Sequence, residues 1–201
     1  MPTVVIASPK GGAGKSTTAI LLGTELAHAG ASVVMLDCDP NHSLTLWADR
    51  APLPDRIQVL SSVTESDIVK SIKQHDTDGQ IVVVDLEGVA SRLVSRAISQ
   101  ADLVITPMRA TTLDATIGVR ALQLIAEEEE ALDRKIPHAV VFTMTKAVRS
   151  KQHSGIAESL AAQGVDLIDP PLLERAAFSA LFEFGGNLRN MPAQGNMDGA
   201  I

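Results

Sequence analysis

Pro9-Lys10-Gly11-Gly12-Ala13-Gly14-Lys15-Ser16-Thr17 packs three glycines, two lysines and two hydroxyls into nine residues. Glycines let backbone N–H groups turn inward around phosphate oxygens, and a helix that follows adds the positive end of its dipole. A lysine there reaches the β- and γ-phosphates, and the hydroxyl after it ligates Mg²⁺. Gly11, Gly12, Ala13, Gly14, Lys15, Ser16 and Thr17 are therefore expected to hold a nucleotide's phosphates. The pattern G-x-x-x-x-G-K-[ST] departs in one place, because Pro9 stands where the first glycine would. Two carboxylate groups complete the chemistry. Asp37-Cys38-Asp39-Pro40-Asn41 and Ile81-Val82-Val83-Val84-Asp85 each place acids just after an apolar run. One such acid can order an attacking water and another can hold the Mg²⁺ hydration shell. Cys38, between two acids, is expected to be a small buried filler. Leu86-Glu87-Gly88 follows Asp85, and repulsion from phosphate favours an outward, structural role for Glu87.

These residues need strand ends and helix starts to hold them. Strands are expected at 3–8, 32–36, 57–60, 81–84, 103–105, 139–142 and 165–168. Helices are expected at 17–29, 65–74, 91–100, 113–130 and 154–163. Nearly continuous Val/Ile/Leu strands alternating with helices imply an α/β fold. Its sheet is mostly parallel and covered by helices on both faces. In such sheets ligands bind beyond the carboxyl ends of the strands, where every motif above falls.

The 201 residues, 45% hydrophobic and 20% charged, suit one domain with an ample core. Residues 1–185 are expected to form it, with 186–201 a flexible tail or the start of a truncated terminal helix. One cysteine excludes a disulfide framework and a cysteine-cage metal site within the chain. No apolar stretch is long enough to span a membrane, and the N-terminus lacks a signal-peptide pattern, so a cytoplasmic protein is expected. With no tyrosine, one tryptophan and four phenylalanines, a base-stacking platform is not expected. The net charge of −7 is uneven: residues 1–133 carry 10 basic and 18 acidic side chains, residues 134–201 carry 7 and 6. Any DNA contact needs a local patch in the C-terminal third. Lys146, Arg149, Lys151 and His153 form the compact basic cluster there, with Arg175 and Arg189 as further candidates. The acidic run Glu127 to Glu130 is expected on a solvated helix face.

Pro9 in place of glycine, with the extra Lys10, resembles the deviant Walker A motif of the ParA/MinD family of P-loop ATPases. The resemblance extends over about residues 1–185. Asp37-x-Asp39-Pro40-Asn41 is similar to that family's D-x-D-P-Q switch I, and the strand ending at Asp85 to its Walker B. Asp85-Leu86-Glu87-Gly88, Pro107-Met108 and Leu113-Asp114-Ala115 resemble small ParA relatives that include the T-DNA-transfer virulence C ATPase. The resemblance implies ATP and Mg²⁺ as cofactors and an ATP-dependent homodimer. Lys10 would reach into the partner's nucleotide site, Lys15 would bind phosphate, and Asp39 would position water. Ser16, Asp37, Asp39 and Asp85 would form the Mg²⁺ shell, and Thr145, Lys146 and Pro170 would lie where the family contacts adenine. It further implies non-specific DNA binding by the ATP-bound dimer through Lys146, Arg149 and Lys151, hence nucleoid association. A ParB-like or other adaptor protein would stimulate hydrolysis.

The chain starts at its first strand, without the helix-turn-helix domain of larger ParA proteins, which argues against operator-specific repression. It shows no basic amphipathic helix, which argues against a membrane partner. The alternative is a MinD-like or cargo-positioning switch that does not act on DNA. A metabolic P-loop enzyme would need its own acceptor base, for which Glu87 is the one hint. Cys38 alone cannot supply the two cysteines per subunit that a shared iron–sulfur cluster requires.

Overall fold

β-branched runs too apolar for a surface strand build the centre of the molecule. The computed structural model describes residues 2–76, 79–88 and 91–190. Its strands are β1 (Thr3–Ile6), β2 (Ser32–Cys38), β3 (Ile57–Leu60), β4 (Gln80–Leu86), β5 (Leu103–Arg109), β6 (His138–Thr143) and β7 (Asp166–Ile168). They pair in parallel in the order β3-β2-β4-β1-β5-β6-β7. Helices α1 (Lys15–His28), α2 (Ser43–Ala48) and α7 (Ala176–Phe184) cover one face. There Ile20, Leu44, Trp47 and Leu181 pack against Ile6, Met35 and Val83. The other face carries α3 (Ile68–His75), α4 (Arg92–Ile98), α5 (Thr112–Leu132) and α6 (Lys151–Ala162). Ile68, Ile72, Ile98 and Ile125 meet Val5, Val34 and Val84 there, and Leu160 meets Val140 and Phe142. Alternate residues of each strand feed opposite layers, which is why the strands read as continuous apolar runs.

The structure extends the fifth strand past its expected end at Ile105 to Arg109. Pro107 is tolerated because its backbone nitrogen faces the same side as that of Ile105, toward β1, and β1 pairs no further than Ile105. From Thr106 to Arg109 the strand pairs with β6 alone.

Two helices, α2 and α7, go beyond the sequence expectations. α2 forms because Asp37 Oδ2 accepts both the backbone N–H and the hydroxyl of Thr45, at 2.8 and 2.7 Å, satisfying a donor of its first turn. α7 buries Ala177, Ala180 and Leu181, the i, i+3, i+4 stripe of an amphipathic helix. The two helices pack together, and the indole N–H of buried Trp47 donates to the Gly186 carbonyl at 2.8 Å. Arg189 reaches back to Glu25 on α1 through two hydrogen bonds of 3.0 and 2.6 Å. Residues 186–190 are thus tied to the domain, whereas the rest of the expected tail, 191–201, lies outside the described residues. The acidic run on α5 is only half solvated. Glu127 and Glu130 are exposed, but Glu128 accepts from Ser95, and Glu129 takes the Ile136 N–H and pairs with Lys135. Among the described residues no helix is long and apolar enough to cross a membrane.

Candidate functional site

The turn between β1 and α1 needs backbone that only glycine adopts easily. Gly12 and Gly14 have φ of 70° and 89°, and a Cβ on Gly14 would press on Thr143 at 3.3 Å. The loop is held open from three sides. Thr143 Oγ1 donates to the Ala13 carbonyl at 2.8 Å, an Arg109 guanidinium N–H to the Gly12 carbonyl at 3.4 Å, and Lys15 Nζ to the Lys10 carbonyl at 3.3 Å. Gly14 caps α1 with no side-chain acceptor, so the first N–H groups of that helix face the cleft uncapped. The cleft, about 460 Å³, is bounded by Gly11, Gly12, Gly14, Lys15, Ser16 and Thr17, by Asp39, Pro40, Asn41 and Ser43, and by Glu87 and Gly88. A Cβ on Gly88 would lie 3.1 Å from the Gly11 nitrogen and 3.3 Å from Lys15 Nζ, so this position must stay without a side chain for the two loops to approach.

The acids divide by what already holds them. Asp37 is fully buried and spends Oδ2 on Thr45 of α2, while Oδ1 takes the Asp39 N–H at 3.3 Å. Asp37, expected in the Mg²⁺ shell, lies outside the cleft lining, as Asp85 does, and its carboxylate also serves as the acceptor that starts α2. Asp39 does line the cleft, with Oδ1 held by Asn41. Asp85 stands beside Asp37 in register, fully buried, with neither carboxylate oxygen hydrogen-bonded. Burial pushes its carboxyl up to about 7; the Ser16 hydroxyl opposes that, Asp37 adds to it and Lys15 opposes it. A buried carboxylate with two orphaned oxygens next to a phosphate-loop hydroxyl suits an octahedral cation that keeps most of its waters. Ser16 and Asp85 thus fit Mg²⁺, although among the described residues no three His, Cys, Asp or Glu side chains gather into a ligand cluster. Burial likewise pushes the Cys38 thiol up, as expected of an inert filler. Glu87 lines the cleft and is partly exposed.

Lys10 is not free. Its ammonium lies 2.5 Å from Asp114 Oδ1 at the start of α5. Burial alone would raise the Asp114 carboxyl, but Lys10 and the Thr111 hydroxyl outweigh it and hold it below its ordinary value. Nothing in the sequence pairs residues 10 and 114; the Thr111-x-x-Asp114 capping pattern was the one local signal.

A second cavity, about 170 Å³, opens from the loop at Gly14 and Thr17. Its walls are Thr143, Met144, Leu172, Glu174, Arg175, Phe178, Ser179 and Phe182. Thr145, Lys146 and Pro170, where base contacts were expected, are not among those walls. Thr145 is buried and bonded to the Leu172 carbonyl, while Lys146 and Pro170 are exposed away from the cavity. The far wall of the cavity is α7, a helix beyond the sequence expectations.

The basic cluster is also rearranged. Lys146, Arg149 and Lys151 are exposed, but Arg149 pairs with Asp169. His153 is buried against Phe142, its ring held below its ordinary value first by burial and then by Arg149. Arg175 belongs to the second cavity, and Arg189 is paired with Glu25.

A family model for the VirC1 protein matches residues 1–197. The chain belongs to the VirC1 family. It is 68% identical to Protein ParA of Rhizobium radiobacter, over all of this chain and 91% of that one. It is 28% identical to virC1 of the same species, over 92% of this chain and 82% of the relative. The fold matches apo McdA of Cyanothece with a TM-score of 0.78 at 21% identity, covering 94% and 92% of the two chains. A variant of that protein is solved as an ATP complex, with a TM-score of 0.72 at 21% identity, covering 92% of this chain and 88% of that one. The VirC1-family chain is therefore a ParA/MinD-type P-loop protein, as the deviant Walker A motif implied.

Proposed function

We propose that this VirC1-family protein is an ATPase that pairs with a second copy when it binds ATP and positions DNA in that state. The observation that carries the reading is the shared cleft. A glycine-built phosphate loop, the uncapped start of α1, Lys15 and Ser16 face a water-positioning candidate, Asp39, across one cavity. Mg²⁺ at Ser16 and Asp85 would neutralise charge on the phosphates. The second cavity, walled by Met144, Leu172 and Phe178, is the apolar slot for the base. Lys10 stands at the loop's rim, where it could cross into a partner's site once released from Asp114. Hydrolysis, stimulated by an adaptor protein, would then separate the copies.

DNA contact would rest on Lys146 and Lys151, with Arg149 joining if it leaves Asp169. Binding is then expected with ATP or a non-hydrolysable analogue but not with ADP. It should weaken steeply with salt, by roughly ten-fold or more between 50 and 200 mM if a few phosphates are neutralised per dimer. A mobility shift on arbitrary duplex DNA tests this. Lys146→Glu with Lys151→Glu should remove the shift while leaving nucleotide binding intact. Binding that ignores nucleotide, or survives the double charge reversal, contradicts the assignment. The pairing of Arg149 and the burial of His153 leave a thin cationic patch, which favours as a second reading an ATP switch that positions a cargo other than DNA.

A further inference from the structure

Asn41 stands two residues after Asp39, where the resemblance leads one to expect glutamine, and its exposed side chain lines the phosphate cleft. Both of its nitrogens turn back on one atom. The backbone N–H and the Nδ2 amide each donate to Asp39 Oδ1 at 2.8 Å. Pro40 between them fixes the turn, and the His42 N–H closes it onto the Asp39 carbonyl at 2.9 Å. The Asp39 N–H in turn is anchored through Asp37 to Thr45 of α2. Asp39 is thus fixed at its backbone and at one carboxylate oxygen. Its other oxygen, Oδ2, accepts no hydrogen bond from any described residue.

We propose that Asn41 is the positioning residue of the hydrolytic carboxylate, its amide clamping Asp39 Oδ1 so that Oδ2 is presented to water in the phosphate cleft. This rests on the ATPase reading above. A carboxylate torsion is broad and roughly two-fold, so a free Asp39 would divide its time among orientations that do not all face the cleft. Two donors on one oxygen select one of them before substrate arrives, which is where positioning contributes to rate. Asparagine is the shortest side chain whose amide can close this ring onto a carboxylate two residues earlier. The clamp does not touch the loop that binds phosphate, so its effect belongs to turnover and not to nucleotide affinity.

The test is steady-state ATP hydrolysis by the full chain with Mg²⁺, with nucleotide affinity measured separately using a fluorescent ATP analogue. Asn41→Ala keeps the backbone N–H but removes the amide; kcat is expected to fall about ten-fold with KM and analogue affinity unchanged. Asn41→Gln restores a donor amide and is expected within about three-fold of wild type. Asn41→Asp sets a second negative charge against Asp39 and is expected to fall below the alanine variant. A merely structural Asn41 would lower the melting temperature without separating kcat from KM and would show no rescue by glutamine. Unchanged kcat in Asn41→Ala overturns the proposal alone. No hydrolysis by wild type, with or without DNA, overturns the ATPase reading and the proposal with it.

Discussion

With Asp85 replaced by asparagine, the nucleotide-free protein is expected to melt higher than wild type at pH 8 and to hydrolyse no ATP above background. The two effects share one cause. Asp85 is buried beside Asp37 with no hydrogen bond to either oxygen, and burial pushes its carboxyl up to about 7. The folded protein therefore keeps a proton that the unfolded chain loses near pH 4. Stability attributable to this group falls as pH rises from about 4 to about 7, and above that the full penalty applies. One pKa unit corresponds to about 1.4 kcal/mol, which caps the penalty at about 4 kcal/mol. The asparagine amide recovers less, because it is buried without partners at a cost of about 1–3 kcal/mol. A net gain of about 1–2 kcal/mol raises Tm by roughly 2–8 °C for a domain of this size. The gain should fall away as pH drops below about 7, and well below pH 4, where wild-type Asp85 is protonated in both states, the variant should be no more stable than wild type. Calorimetry across pH checks this; a variant less stable than wild type at pH 8 would show that Asp85 is not held against its charge. Loss of hydrolysis follows because asparagine cannot balance a divalent cation near Ser16. The site trades stability for function.

Lys10→Ala and Asp114→Asn are expected to move ATP-dependent pairing in opposite directions. In the single chain the Lys10 ammonium sits 2.5 Å from Asp114, so reaching a partner's nucleotide means giving up that ion pair. Removing Lys10 leaves the cleft of its own chain intact, since Lys15 and the loop N–H groups are the ones proposed to hold the phosphates there. Nucleotide affinity should stay within about two-fold while the ATP-dependent dimer is lost. Asp114→Asn keeps an acceptor for the Thr111 hydroxyl, which caps α5, and removes the charge that holds Lys10. Lys10 is about a third exposed, which limits the pair to roughly 1 kcal/mol. The dimer should accordingly form at about three- to six-fold lower ATP concentration. Analytical ultracentrifugation over an ATP titration reads both. A dimer that persists in Lys10→Ala, or an Asp114→Asn dimer that needs more ATP than wild type, contradicts the account.

Much of this arrangement is legible in the residues themselves, for identifiable reasons. The strands announce themselves because a doubly covered parallel sheet demands unbroken Val/Ile/Leu runs. The phosphate loop does so because its backbone tolerates only glycine at positions 12 and 14. What escapes local reading is fixed by contacts distant in sequence. α2 depends on Asp37, eight residues before Thr45, accepting that residue's two donors, and on Trp47 reaching Gly186, 139 residues away. Base contacts were expected at Thr145, Lys146 and Pro170, whereas the second cavity is walled by Met144 and Leu172 and, on its far side, by α7, a helix that packs on α2. Asp37 carries a structural task that the local sequence does not announce, since its buried carboxylate holds Thr45 at the start of α2. The basic cluster looked larger than it is because Asp169 and Phe142, which take up Arg149 and His153, lie on other strands and loops.

The central claim is that ATP bound in the phosphate cleft makes two copies pair, and light scattering with Mg²⁺ and a non-hydrolysable ATP analogue tests it most directly. The account predicts a mass near 21.2 kDa without nucleotide or with ADP, and about twice that with the analogue. Lys15→Ala should stay at the lower mass throughout. A chain that binds the analogue yet remains at 21.2 kDa, or that is dimeric whatever nucleotide is present, contradicts it.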